Sequence, residues 1–316
     1  MMVDIAKLSI GERLPERKFN VALTDVVRYA GASGDFNPLH HDDAAARAAG
    51  MQGAFAHGMF SAGCLATALT DAAGVGSLTR LSVRFRAQAK LGTTLVSDVT
   101  VAGTRRVGDR VLLALDCRLL DEDAAVVVSG AAGVATPPAP REPDEADMLA
   151  PPAGLLGAHL APAVVTVEHG PVQFFATAVG DDSRPYRSAA ASAACGLDGI
   201  PVPPTYVFAA ANWGAFADQQ PPPPADSTSL VELIALLRNG RKGVVLHGEQ
   251  EFVYYRPVRV GDVLHVDGYV ECLEEKSASD GRPGMTVMVV RTDYRDASAR
   301  LLTTARATYL FRPATR

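Results

Sequence analysis

The densest polar run in the chain is Ser33-Gly34-Asp35-Phe36-Asn37-Pro38-Leu39-His40-His41. It sets a carboxylate and an imidazole five residues apart around a proline. Pro38 fixes its own φ and biases Asn37 away from helix, so the run reads as a rigid turn. A rigid turn can aim Asp35 and His40 at one point, as an acid/base pair requires. Asn37 has the amide to hold the backbone or Asp35 in place. The same residue types are also ordinary turn formers, so this run alone does not establish catalysis. A second run, Ala56-His57-Gly58-Met59, lies in the most apolar stretch, Gly53–Thr70. It marks a helix start, where free N–H groups and the helix dipole favour negative charge. Gly58 lets a ligand approach the backbone closely, which suits an enolate-like oxyanion. The plain alternative is a helix start carrying a chance histidine.

Other chemistries lack their signatures. There is no GxxxxGK[ST], no HExxH and no GxGxxG at a strand–helix junction. Gly31-Ala32-Ser33-Gly34 is no GxSxG elbow, because its second glycine comes one residue early. Adjacent His40 and His41 side chains should diverge in a turn, so no metal site is expected from His40, His41 and His57. Cys64, Cys117, Cys195 and Cys272 form no CxxC pair, which argues against a disulfide framework and a zinc knuckle. They read as thiols of a reducing, cytoplasmic compartment.

The elements that must position these residues occur twice. DVVRYAGASGDFNPLHHDDAAARAAGMQGAFAHGMFSAG in the first half parallels GPVQFFATAVGDDSRPYRSAAASAACGLDGIPVPPTYVFAA in the second. Gly34-Asp35 matches Gly180-Asp181. With one inserted residue, Pro38 then matches Pro185 and His40 matches Arg187. Pro203-Pro204-Thr205 stands where the first half has His57-Gly58-Met59. The second copy thus lacks both the imidazole and a backbone N–H there. In the first half the spacing predicts a helix from Thr24 as N-cap, a short helix from Asp42-Asp43 to Gly50, and a long apolar helix from His57 to Asp71. Strands follow, beginning with VRFRAQAKLGTTL, which parallels FVYYRPVRVGDVL in the second half. A buried helix with an antiparallel meander, present twice, indicates α+β. Expected domains are 1–136 and 153–316, joined by a Pro/acidic linker at 137–152. Gln219–Ser227, QQPPPPADS, reads as a surface insertion.

Length and composition agree. The chain has 316 residues, 48% of them hydrophobic and 21% charged, enough for two cores and too apolar for wholesale disorder. The net charge of −5 with scattered Lys and Arg gives no nucleic-acid footprint. The opening residues carry charges where a secretory signal would be apolar. Gly53–Thr70 has no basic flank, so it is read as a buried helix and not as a membrane span.

Tyr29–Met59, YAGASGDFNPLHHDDAAARAAGMQGAFAHGM, resembles the signature of the MaoC-like (R)-specific enoyl-thioester hydratases. The likeness continues through VRFRAQAKLG. The second half is similar to the motif-less partner domain of that family. The resemblance implies a double hot-dog fold, each repeat a long helix wrapped by an antiparallel sheet, with the halves paired as an internal pseudo-dimer and room for a further homodimer. It implies reversible hydration of a trans-2-enoyl thioester, carried by CoA or acyl carrier protein, to the (3R)-3-hydroxyacyl thioester. Asp35 and His40 would be the acid/base pair, Asn37 their brace and Gly58 the oxyanion donor. Ser33, Pro38, His57 and Met59 would line the substrate. No cofactor, membrane or nucleic acid is called for. Competing readings are a hot-dog acyl-CoA thioesterase and a non-catalytic acyl-thioester-binding subunit. Many fused relatives carry the motif-bearing half second, whereas here it comes first.

Overall fold

The structure is a computed structural model that describes residues 3–148, 156–213, 218, 220–238, 240–277 and 284–313. Ten strands form one antiparallel sheet: β1 (Lys18–Asn20), β2 (Leu78–Phe85), β3 (Thr94–Val107), β4 (Arg110–Leu120), β5 (Val126–Thr136), β6 (Ala163–Thr166), β7 (Gly243–Tyr254), β8 (Val263–Lys276), β9 (Met285–Arg295) and β10 (Leu301–Pro313). Their order is β1-β3-β4-β5-β2-β7-β10-β9-β8-β6. The order reads as one five-stranded pattern, 1-3-4-5-2, and its mirror-ordered repeat. The halves meet where β2 pairs with β7, with Leu81 opposite Phe252 and Ser82 opposite Glu251. Each half therefore covers the edge strand that the other would leave open. Arg80 and Arg84 of β2 pair across this seam with Glu251 and Glu249 of β7.

The first half wraps α3 (Gly58–Ala73). Every residue from Met59 to Thr70 is buried, which explains why this helix has no polar face. Its alanines, Gly63 and Cys64 keep it slim. A Cβ at Gly63 would stand 2.5 Å from Val179 Cγ1 of the second half, so only glycine permits this approach. Among the described residues no helix is long and apolar enough to cross a membrane.

Two helices precede α3. The first, α1 (Leu23–Ser33), is capped differently from expectation. Its N-cap is Ala22, and Asp25 reaches back to accept the Ala22 N–H at 3.2 Å, while Thr24 lies inside the helix. The second, α2 (Asp43–Ala48), begins as expected, with Asp42 accepting the N–H groups of Ala44 and Ala45.

The second half repeats these as α4 (His169–Ala178) and α5 (Ala189–Ala194). Its apolar helix α6 is described over Tyr206–Trp213, and a further helix, α7 (Leu230–Arg238), follows the proline run. Ser229 and Glu232 cap α7 reciprocally, at 2.8 and 3.2 Å. Leu233 and Leu237 then pack on Val270, Met288 and Phe311 of the sheet. Over its described residues α6 packs into the main core through Tyr206, Val207, Ala209 and Ala210, while α7 covers a separate patch of the sheet. Pro221–Pro224 are exposed, as a surface insertion should be, though Gln220 clips to both backbone groups of Val164 on the edge strand β6. Gln219 lies outside the described residues.

The segment after β5 is not a free tether. Arg141 N–H donates to Tyr255 O at 2.9 Å, and its guanidinium lies 4.4 Å from the Tyr255 ring centre. Asp147 is buried, pairs with Arg141 and offers its carbonyl to Arg291. The expected boundary at 152/153 lies outside the described residues.

Candidate active site

The turn after α1 is built by short-range bonds. Gly34 closes α1 in the left-handed region at φ 73°, and its N–H donates to Ala30 O at 2.9 Å. Ser33 Oγ donates to Tyr29 O at 2.8 Å and accepts the Asp35 N–H at 3.3 Å. Asp35 Oδ1 accepts the Asn37 N–H at 3.2 Å, and Asn37 Oδ1 accepts the Leu39 N–H at 3.2 Å. Pro38–His40 then forms one turn of 3-10 helix. Asn37 is therefore the cap that sets the path from Asp35 to His40. Pro38 is exposed and starts that turn. Ser33 is fully buried, and Met59 is part of the hydrophobic core.

His40 is 8% exposed, and its Nδ1 lies 2.9 Å from Phe55 O. A carbonyl only accepts, so Nδ1 carries the proton and Nε2 keeps its lone pair. Burial lowers the His40 pKa below the ordinary imidazole value, holding it neutral. His57, at the N-cap of α3, is 2% exposed and donates from Nε2 to Asp35 O at 3.0 Å. Its ring lies against that of His40, centroids 3.8 Å apart. Burial, then the neighbouring His40, pushes its pKa down to about 4. His57 is thus a neutral clamp on the Asp35 backbone, joining the turn to the start of α3.

One ligand-capable atom each from Asp35, His40 and His57 lies within 4.8 Å of the others. Of the three histidines weighed in the sequence, His41 is exposed. The structure instead brings His57 beside His40, and this trio has the proximity a cation would need. The nitrogens free for such a role are His40 Nε2 and His57 Nδ1, the latter buried without a partner.

Gly58 is the first residue of α3, where a backbone N–H has no partner within the helix. A Cβ there would meet three atoms of the Phe85 ring at 3.2–3.3 Å, so packing as well as ligand approach favours glycine. Phe85 in turn faces His247 of β7 at 5.1 Å between centroids, which extends the site's wall into the second half. Phe55 acts through its carbonyl and His247 comes from a distant strand. No motif in the chain could have pointed to either.

The second half carries the same turn with different chemistry. An offset of 146 residues, without any insertion, superposes Gly34 on Gly180, α2 on α5 and Gly50 on Gly196, all four glycines having positive φ. The inserted residue expected from the sequence is therefore absent. The 3-10 turns Pro38–His40 and Arg184–Tyr186 coincide, and Tyr186, not Arg187, occupies the place of His40. Two prolines at different steps of the turn misled the comparison. Asp181 Oδ1 accepts the Ser183 N–H at 2.9 Å, as Asp35 does from Asn37. Asp181 is 1% exposed and burial raises its pKa, whereas Asp35 is only half-buried. Pro204 falls at the position of Gly58.

Both halves of the chain resemble known proteins. The family described as MaoC like domain matches residues 7–117, and the FAS1-like dehydratase domain region matches residues 154–304. A UPF0336 protein of Streptomyces griseus is 30% identical over 138 residues, covering 42% of this chain and 76% of the relative. The (R)-specific enoyl-CoA hydratase of Rhodospirillum rubrum is 31% identical over 119 residues, 37% of this chain and 81% of that enzyme. The chain belongs to the MaoC-like dehydratase family. The 3-hydroxybutyryl-CoA dehydratase of Methylorubrum extorquens is 33% identical and 82% covered by the match, which spans 42% of this MaoC-like chain. A solved Mycobacterium tuberculosis protein with a double hot-dog fold shares 16% identity at a TM-score of 0.66, covering 98% of both chains. The fold of this MaoC-like protein is accordingly a double hot dog, two such domains in one chain.

Proposed function

We propose that the protein catalyses reversible, (R)-specific hydration of trans-2-enoyl thioesters, with one active site at Asp35 and His40. The observation that carries this reading is the convergence of Asp35, His40 and His57 within 4.8 Å beside the start of α3. In the dehydration direction, neutral His40 takes the proton from C2 through Nε2, whose lone pair the Phe55 carbonyl leaves free. Asp35, protonated, gives its proton to the C3 hydroxyl, which departs as water. The double bond forms between C2 and C3. The proton then passes from His40 to Asp35 and resets the pair. Hydration reverses each step. The Gly58 N–H would stabilise the thioester oxygen as negative charge develops on it. The thioester itself acidifies C2, so the scheme draws on no further group. Stereochemistry is carried over from the named hydratases.

The test is to follow the enoyl absorbance of crotonyl-CoA together with free thiol. Loss of the enoyl band without thiol release supports the reading. Thiol release at the same rate would make the protein a thioesterase, and no change in either would leave a binding subunit.

A further inference from the structure

The second half keeps a pocket where the first half has its active site. This pocket has a volume of about 230 Å³. It is lined by Tyr186, Pro201, Pro204 and Tyr254, the residues standing where His40, Phe55, Gly58 and Phe85 stand in the first half. The isolated strand bridges Phe55–Lys90 and Pro201–Arg259 mark the same correspondence. Tyr254 closes on Pro204 as Phe85 closes on Gly58, its hydroxyl donating to Pro204 O at 3.2 Å.

The chemical groups have gone but the cavity has not collapsed. Proline offers no N–H where an oxyanion would sit, and a phenol replaces the imidazole. Three lining residues, Ser77, Tyr186 and Tyr255, keep their hydroxyls buried in the wall behind the cavity, and its open surface is largely apolar. Arg256 and Arg259 belong to the same lining. Their acidic partners, Glu142 and Asp198, are 80% and 93% exposed, which leaves the guanidinium groups only weakly held. An apolar acyl group inside and an anionic phosphate arm at the arginines fits this distribution of polarity.

We propose that this pocket is a second, non-catalytic acyl-thioester site, which holds a carrier-bound acyl group against Val202, Pro204 and Tyr254 and its phosphates through Arg256 and Arg259. The class of ligand rests on the activity proposed above; the pocket does not. Without the imidazole and the backbone donor, the bound thioester would be retained and not converted.

The experiment is calorimetric titration of the full-length protein with butyryl-CoA, a saturated thioester that cannot be hydrated, beside crotonyl-CoA hydration assays. Two molecules should bind per chain. Leu197→Trp, which fills the pocket from its rim, should reduce this to one while kcat/KM for crotonyl-CoA stays within about twofold. Arg259→Glu, at the surface, should weaken one of the two events about tenfold or more, and it carries the test if Leu197→Trp fails to fold. One molecule per chain in the wild type, or two that both variants leave unchanged, would overturn the second site even if hydration is observed. Two events with one lost on substitution, but no hydration, would uphold the site and sink the catalytic reading instead.

Discussion

Replacing His57 by Gln removes a titrating ring but keeps an amide that can donate where Nε2–H donates to Asp35 O. In the folded protein burial and His40 hold the His57 pKa at about 4; in an unfolded chain an imidazole titrates near ~6.5. The unfolded state therefore binds the proton first as pH falls. Stability from keeping His57 neutral is complete above about pH 6.5 and is lost as the pH drops toward the folded value. Between pH 7 and 5 one such group removes about 2 kcal/mol. For a chain of 316 residues unfolding as a unit, that is about 3 °C in Tm. Thermal melts of wild type and His57→Gln at both pH values measure it. His247, also pushed to about 4 by burial, contributes equally to both proteins and cancels in the difference. The wild type should lose about 3 °C more than the variant between pH 7 and 5. Equal losses would show that His57 titrates normally and that the clamp on Asp35 is not the buried, neutral contact described here.

Four further outcomes follow from the same geometry. Asp35→Asn and His40→Ala should each lower hydration by about 10²–10⁴-fold, and the double variant should fall little below the worse single one, because the pair acts as a unit; Asp181→Asn should leave the rate unchanged. With His40 held neutral by burial, the acid limb of kcat/KM for dehydration should lie below pH 6.5, the ordinary imidazole value, and a limb above it would contradict the buried ring. Gly58→Ala should fold, since Phe85 is half-buried and needs to yield only a few tenths of an ångström, yet lose turnover; if Phe85→Leu restores the rate, packing and not the N–H explains the glycine. Co-expressed fragments 1–148 and 156–316 should co-purify through the β2–β7 seam and the Arg141–Tyr255 and Asp147–Arg291 contacts, and independent migration on a sizing column would count against that seam.

Much of the architecture was legible because it rests on local rules. Alternation along Leu78–Phe85, the glycine at 50, the capping Asp42 and the all-round apolarity of Gly58–Ala73 each specify their element without knowledge of the partner half. The duplication was legible for the same reason. The packing of the second half's apolar helices was not, because Tyr206–Trp213 and Leu230–Arg238 are both apolar and the sequence does not say which packs where. The pairing of His40 with His57 was also hidden. They lie seventeen positions apart, and only the closing of α1, α2 and α3 onto one turn brings their rings to 3.8 Å. Choosing Arg187 over Tyr186 as the counterpart of His40 was an error of register, made by trusting proline as a fixed landmark when either of the first two positions of a 3-10 turn accepts it.

That error bears on how a catalytic carboxylate is told from a structural one. Both halves keep Gly-Asp, and in both the aspartate accepts the N–H two residues on, so the turn alone accounts for Asp35 as fully as for Asp181. The difference lies in what surrounds each. Asp181 is 1% exposed with one oxygen unpartnered, faces a phenol whose burial keeps it protonated, and sits beside a proline that has no N–H. Asp35 is half-buried, shares its turn with an imidazole whose free nitrogen is fixed by the Phe55 carbonyl, and stands at a helix start that still has its donor. The motif is therefore a scaffold first. Access, the tautomer of His40 and the Gly58 N–H are what separate the half proposed to react from the half proposed only to bind.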